Sequence, residues 1–345
     1  MARIFNKRWE LLEKLSEGGQ GHTYLVRDLA GDRHQKFVLK RLKNLKRLGR
    51  FKREVAAMLK LDHNDILKVV DHHFEDDEPY IVSDFCAGGT LTELMQRGRP
   101  SITDAFRLFI HIADAVNYAH SEGVVHRDLK PDNIFLRPPT FIPLIGDFGL
   151  CYLEEAENVK RETELHEAVG PRMFMAPELE DGRMDRIDPS VDIYSLGKIL
   201  YWLFSGEIFS REKFREGRWN LGQRVQHPYE PGFNLQMEHI NRLLDQMIVE
   251  DPQKRAKLGD IILSAKRIAQ LVARSVNPVT THELMNCTFC GWGKYTIIHT
   301  KSDVYNFGFA QVGNPDWRIL ACDQCGHIQL FRVDHIRGKY NWWVH

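Results

Sequence analysis

The order of apolar and polar positions divides the chain into a strand-rich beginning, a helical middle and a second strand-rich end. Trp9–Leu15, Tyr24–Arg27 and Lys36–Leu42 read as strands around a glycine-rich turn and a turn at Gly31-Asp32. Over Gly49–Leu61 the period becomes helical, with Phe51, Val55, Met58 and Leu59 forming one stripe. Leu67–Phe74 and Tyr80–Asp84 read as two further strands. Beyond Gly88-Gly89 the pattern is mostly helical. Ser101–His120 carries Ile102, Phe106, Phe109, Ile112, Ala113 and Val116 on one face, and Val191–Phe204 is apolar nearly all round, which predicts a buried helix. Helical pattern continues to about Ala273, and Val276–Thr281 reads as a linker. Tyr295–His299, Trp317–Ala321 and His327–Val333 then read as strands between cysteine pairs, with no internal repeat in the chain.

Composition narrows this picture only a little. The 345 residues give room for one large domain or two unequal ones. Lysine plus arginine (47) equals aspartate plus glutamate (47), so net charge supplies no argument for nucleic acid or an acidic membrane as partner. Met1–Glu10 is charged and lacks the apolar core of a signal peptide, and no apolar run approaches the roughly 18 residues of a membrane span. The expectation is a soluble, cytoplasmic protein without a membrane partner.

Candidate chemistry sits mid-chain. "VVHRDLKPDNIFL" (Val124–Leu136) is followed by "GDFGL" (Gly146–Leu150). Phosphoryl transfer needs an acceptor for a hydroxyl proton, a cation at the transferring phosphate and two oxygen ligands for Mg²⁺. Asp128, Lys130, and the pair Asn133 with Asp147 offer these in turn.

This combination resembles the eukaryotic-type protein kinases, and the likeness runs from about Trp9 to Ala273. It implies an α+β, bilobal fold, with a small β-rich N-lobe over about 9–85 and a helical C-lobe over about 90–273. It also implies ATP, Mg²⁺ (or Mn²⁺) and a protein substrate. "FVLK" puts Lys40 where the family's strand lysine holds the α- and β-phosphates, and "RFKREV" offers Glu54 as its ion-pair partner. "MAPE" (Met175–Glu178) ends the activation segment, Arg255 of "DPQKR" is the usual partner of that glutamate, and Asp192 of "DIYSLG" accepts backbone hydrogen bonds from the catalytic loop. In "PYIVSDFCAGGTL" (Pro79–Leu91), Ser83 falls at the gatekeeper position, while Asp84 to Cys86 offer backbone groups to adenine. Val38 would roof the base and Phe135 would lie beneath it.

Three positions depart from the family pattern. The phosphate-covering loop reads "LSEGGQGHTYLV": from Leu15 onward it keeps Gly18, Gly19 and Gly21, but Ser16 replaces the first glycine and Thr23 the valine. Neither change removes a catalytic group. Pro171 replaces the threonine usual in Ser/Thr kinases, whereas Lys130-Pro131 is of Ser/Thr type; the lysine acts on the phosphoryl group itself, which favours Ser/Thr as acceptor. Between Gly149 and Ala176 the only hydroxyl side chains are Tyr152 and Thr163, and six glutamates there offer Arg127 an acidic partner in place of a phosphate. These departures carry a rival reading, a pseudokinase scaffold; a small-molecule kinase is the third.

"CTFCGWG" (Cys287–Gly293) and "CDQCGH" (Cys322–His327) are two C-x-x-C-G pairs, the form of a zinc knuckle. Four thiolates suit a closed tetrahedral Zn²⁺ site, so 274–285 reads as linker and 286–345 as a zinc-ribbon-like β domain with Cys287, Cys290, Cys322 and Cys325 as ligands. The 31 residues between the pairs predict a long hairpin with a turn at Gly313–Asp316. Redox disulfides are the alternative; His327 and His345 read as surface residues. Trp292, Trp317, Trp342 and Trp343 could pack the ribbon or recognise a protein partner. Six Lys/Arg against four Asp from Asn286 onward form a poor footprint for nucleic acid.

Overall fold

The protein is seen here as a computed structural model that describes residues 3–18, 21–31, 34–75, 78–148, 152–153, 173–180, 188–211 and 233–276, together with 295–299, 305–306, 311–312, 317–322 and 328–332. It divides into two compact units, one of residues 1–230 with 237–266, the other of residues 231–236 with 267–345.

The first unit opens with a six-stranded sheet. β1 (Ile4–Phe5), β2 (Trp9–Gly18), β3 (Gly21–Asp28), β4 (Lys36–Leu42), β5 (Val69–His73) and β6 (Tyr80–Asp84) lie in the order β1-β2-β3-β4-β6-β5, every neighbouring pair antiparallel. Lys36–Leu42 and Tyr80–Asp84 coincide with the predicted strands. β1 is an addition that two residues were too short to signal. Its Phe5 joins Trp9, Tyr24, Phe37, Leu39 and Tyr80 in one buried cluster. Trp9 is fully buried and donates its indole N–H to Asp71 at 2.6 Å, so its polar edge is satisfied inside the core.

Helix α1 (Leu48–Lys60) crosses this sheet, pinned by Phe51 and Val55 packing on Leu42 and Ile81. The predicted stripe needs one correction: Leu59 is 53 % exposed, because the buried arc centres on Phe51, Val55 and Met58 and is too narrow to include it.

Below the sheet come α2 (Leu91–Arg97), begun by a Thr90–Glu93 capping box, and α3 (Ile102–Ser121), whose Ser101 side chain accepts from the Asp104 N–H. All six positions of the predicted α3 face are buried. α3 packs on α5 (Ser190–Ser205), with Phe106 and Phe204 in edge contact at 5.0 Å. In α5 every residue but Trp202 is buried, as the all-round apolar pattern predicts. Two short antiparallel pairs carry the loops of interest: β7 (Val124–Val125) with β10 (Tyr152–Leu153), and β8 (Ile134–Arg137) with β9 (Ile142–Ile145). α4 (Pro177–Glu180), α6 (Phe233–Met247) and α7 (Leu258–Val276) complete the helices among the described residues, and none of those helices is long and apolar enough to cross a membrane.

In the second unit β11 (Tyr295–His299), β14 (Trp317–Cys322) and β15 (Ile328–Arg332) form an antiparallel sheet in the order β11-β14-β15, and β12 (Tyr305–Asn306) pairs with β13 (Gln311–Val312). Cys322 ends β14 opposite Tyr295. Cys287, Cys290, Cys325, His327, His345 and the predicted turn at Gly313–Asp316 lie outside the described residues.

One buried carboxylate fixes the loop after β7. Asp192, at the start of α5 and 0 % exposed, accepts the backbone N–H of His126 at 2.9 Å and of Arg127 at 2.8 Å, and pairs with His120 Nε2 at 2.8 Å. Burial pushes this carboxyl up, but the His120 hydrogen bond and charge, with His126 and the Arg127 N–H, outweigh it and hold the group below the usual carboxylate range. A lowered pKa means that the stabilisation is complete above the ordinary value of about 3.9 and is lost as pH falls towards the folded-state value. Asp192→Asn should therefore cost about 3 kcal/mol in denaturant unfolding at neutral pH, since one donor then faces an amide NH₂. The gap to the parent protein should narrow as pH falls below about 4, where the carboxyl of the unfolded parent chain takes up its proton before the folded one does.

Candidate active site

Lys40 lies in the middle of β4, paired with Thr23 on β3 and Ile81 on β6. Its ammonium sits 2.7 Å from Asp147 Oδ1 and 3.5 Å from Glu54 Oε1. Glu54 reaches it from the buried face of α1, and Asp147 follows β9. Burial works against a charged Lys40, but the Asp147 and Glu54 carboxylates more than compensate, and its pKa lies above the ordinary lysine value. For Asp147, burial raises the pKa, while Lys40, followed by His126 and Lys130, carries it below the usual range. Glu54 goes the other way: burial and the nearby Asp147 charge outweigh Lys40 and raise it. Two carboxylates thus share one ammonium unequally, with Asp147 the more firmly ionised.

The second cluster comes from the loop between β7 and β8. Lys130 Nζ donates to Asp128 Oδ2 at 2.8 Å. Asn133, in the 3₁₀ turn Pro131–Asn133, donates its Nδ2 to the Asp128 carbonyl at 2.8 Å and to Oδ2 at 3.1 Å. The amide nitrogen is thereby committed to Asp128, which leaves the amide oxygen as the end able to coordinate a cation. With the Asp147 carboxylate, this gives an oxygen set that fits a hard divalent cation.

His126 links the two clusters, and the sequence reading gave it no role. Its Nδ1 accepts the Asp128 N–H at 3.3 Å, which places the proton on Nε2, donating to the Gly146 carbonyl at 3.1 Å. Phe148 packs against the ring at 4.5 Å, the two planes tilted by 44°, and is 1 % exposed. His120 was missed likewise. His120 carries no sequence signal, and His126 is legible only as the first residue of the His126-Arg127-Asp128 run; only the fold brings them to Asp192 and Gly146. Arg255 donates Nη2 to Glu178 Oε2 at 2.8 Å and covers the Tyr194 ring.

The predicted nucleotide-binding positions occupy the same unit. Ser16 pairs with Thr23, and Gly18 with Gly21, across the β2–β3 hairpin. Gly21 has a packing reason of its own: a Cβ there would lie 2.1 Å from the Arg41 carbonyl on β4. Leu15 is 42 % exposed, and Val38 pairs with the buried Ser83 across β4 and β6. Phe135 lies against Gly146, where a Cβ would stand 2.9 Å from its ring. Asp84 ends β6 and Cys86 follows it, the thiol pushed up to about 11 by burial, with Asp84 adding to the rise. Gly19, Thr163 and Pro171 lie outside the described residues, as do the six glutamates near Thr163.

Chemically, one ammonium is locked between two carboxylates, and a second ammonium and an amide flank Asp128. That arrangement can hold a polyphosphate beside a hydroxyl acceptor.

Comparison with known proteins agrees with this geometry. The chain is 28 % identical over 283 residues to the ovarian-specific serine/threonine-protein kinase Lok of Drosophila melanogaster, covering 75 % of this chain and 56 % of that one. It is 30 % identical over 261 residues to the carbon catabolite-derepressing protein kinase of Candida albicans (74 % and 40 %), and 30 % over 209 residues to a probable serine/threonine-protein kinase of Clostridium acetobutylicum (59 % and 31 %). The chain therefore spans about half, or less, of the length of these curated relatives. Residues 9–265 match the family model described as "Protein kinase domain", and the chain belongs to that family.

Proposed function

We propose that the protein is an ATP-dependent protein kinase that phosphorylates serine or threonine. The observation that carries this reading is the Lys40 ammonium held at 2.7 Å from Asp147 and 3.5 Å from Glu54. Its support for acceptor class is the Lys130–Asp128 contact at 2.8 Å, and the names of the relatives agree with it.

In this mechanism Lys40, oriented by Glu54, binds the α- and β-phosphates of ATP. Leu15, Val38 and Phe135 enclose the adenine, Ser83 lies behind it, and backbone groups of Asp84 to Cys86 meet its edge. The hairpin from Ser16 to Thr23, including Gly18, Gly19 and Gly21, covers the phosphates. Asn133 and Asp147 would hold Mg²⁺, which supplies charge neutralisation for the phosphate oxygens. Asp128 orients the acceptor hydroxyl and takes its proton, and Lys130 stabilises charge on the transferring phosphoryl group. Cytoplasmic ATP and a reducing environment for the tail thiols suit this reading.

Asp128→Asn should lower phosphoryl transfer to a generic serine peptide by about 10²–10⁴-fold, the usual contribution of a positioned general base. Nucleotide affinity should stay within about twofold, since Asp128 does not reach Lys40's partners. Undiminished transfer in a radiolabelled ATP assay would remove Asp128 from the mechanism.

For the second unit we propose a structural Zn²⁺ held by Cys287, Cys290, Cys322 and Cys325, with the small domain serving a protein partner or regulation. The support is the C-x-x-C spacing and the antiparallel sheet in which β11 follows the first pair and β14 and β15 flank the second. Among the described residues no group of three or more His, Cys, Asp or Glu side chains is placed to share a metal, and three of the four cysteines lie outside those residues. Elemental analysis of the purified chain should return about one zinc per molecule, falling to near zero in Cys287→Ser. A metal-free parent chain would reject the ribbon.

A further inference from the structure

A cavity of about 460 Å³ opens behind the Asp84–Ala87 linker, and of the residues predicted to bind nucleotide it contains only the stretch from Asp84 to Cys86. Its floor is apolar, made by the buried Ile66, Leu67 and Leu144. Cys86 stays a neutral thiol there, which keeps that wall uncharged. The rim is cationic, with Lys36, Lys68 and Arg137 facing a single carboxylate, Asp84, and His34 beside them.

We infer that this cleft is a docking site for an acidic peptide segment carrying an apolar anchor residue. The volume suits one or two side chains in place of a whole folded element. The apolar floor asks for leucine-like groups, and the excess of rim cations asks for carboxylates. The present contacts of the rim are weak and exchangeable. Lys68 reaches Asp62 at 2.7 Å between side chains 56 % and 86 % exposed, and Arg137 donates to the Asn64 carbonyl at 3.3 Å. An incoming carboxylate could replace either partner at little cost. Nucleic acid fits less well, because the linker offers a single exposed aromatic, Phe85, and the floor would desolvate phosphates without pairing them.

The test uses the full chain and a fluorescein-labelled peptide of alternating glutamate and leucine. The peptide carries no hydroxyl side chain and so cannot be a phosphoacceptor. Anisotropy should show saturable binding that weakens with salt and is unaffected by saturating ATP analogue. The double variant Lys68→Glu/Arg137→Glu, altered only at exposed side chains, should bind at least about tenfold more weakly while keeping its thermal midpoint. Carbodiimide cross-links on the parent chain, mapped by mass spectrometry, should land on Lys36 or Lys68. Cross-links confined to Lys43, Lys46 and Lys52 around α1, equal binding of a lysine–leucine peptide, or equal displacement by a short single-stranded RNA would each overturn the assignment.

Discussion

A single half-buried ammonium ties the working parts of the first unit together. Lys40 stands on a central strand, and its two carboxylate partners come from α1 and from the segment after β9. A lysine in that setting loses hydration, and the only compensation is the geometry that brings Glu54 and Asp147 to it. Removing Lys40 would leave two neighbouring carboxylates without a cation between them, whereas removing one carboxylate leaves Lys40 with the other. The backbone reinforces the same closure. The loop between α1 and β5 exchanges hydrogen bonds with β9: Leu67 N–H donates to the Ile145 carbonyl at 2.8 Å, and Ile145 N–H to that of Asp65 at 2.9 Å. Two residues beyond Ile145 is Asp147. The loop that follows the helix carrying Glu54 is therefore stitched to the strand that delivers Asp147 independently of Lys40.

Local strain accompanies this arrangement. Arg127 and Asp147 adopt left-handed backbone, with φ of 69° and 57°, a conformation that costs a side-chain-bearing residue about 1–3 kcal/mol. Each is held by neighbours that do no chemistry. Asp192 takes the Arg127 N–H from below, and His126 binds the Gly146 carbonyl just before Asp147. The strain thus falls on the two turns that present the ionic side chains, and buried hydrogen bonds offset it. Placement of the charges depends on residues that would look dispensable if only the charges were considered.

This division explains what could be read from the chain beforehand. Strands such as Lys36–Leu42 were legible because alternation and turn residues are local signals. The ionic residues were legible because phosphoryl transfer assigns a role to each residue type, and the motif order matched the resemblance. Leu59 was misread, since helical period defines a stripe's direction better than its width. His120 carried no signal, and His126 was legible as part of the His126-Arg127-Asp128 run but its partner was not: their partners lie 72 and 20 residues away, and only the packing of α3, α5 and the loop unites them. Gly21 was legible for an incomplete reason: a phosphate-covering turn explains a glycine there, but the close approach of the Arg41 carbonyl requires one whatever is bound.

The loop after α1 also bears on what the rear cleft can do. Ile66 and Leu67 line that cleft, and Leu67 is bonded to the strand that leads to Asp147. Shared backbone alone does not make two sites communicate; an occupant shifts a site only by favouring one of two arrangements of it. Here the loop is fixed from several directions. It is bonded to β9, Asp65 pairs with His111 of α3 at 2.7 Å, and the Asp62 N–H donates to the Tyr118 hydroxyl at 3.2 Å. A loop anchored to a strand and to a core helix has one arrangement to offer. Occupation of the cleft then acts by raising the local concentration of whatever is attached to the peptide, and leaves the Lys40 geometry as it stands.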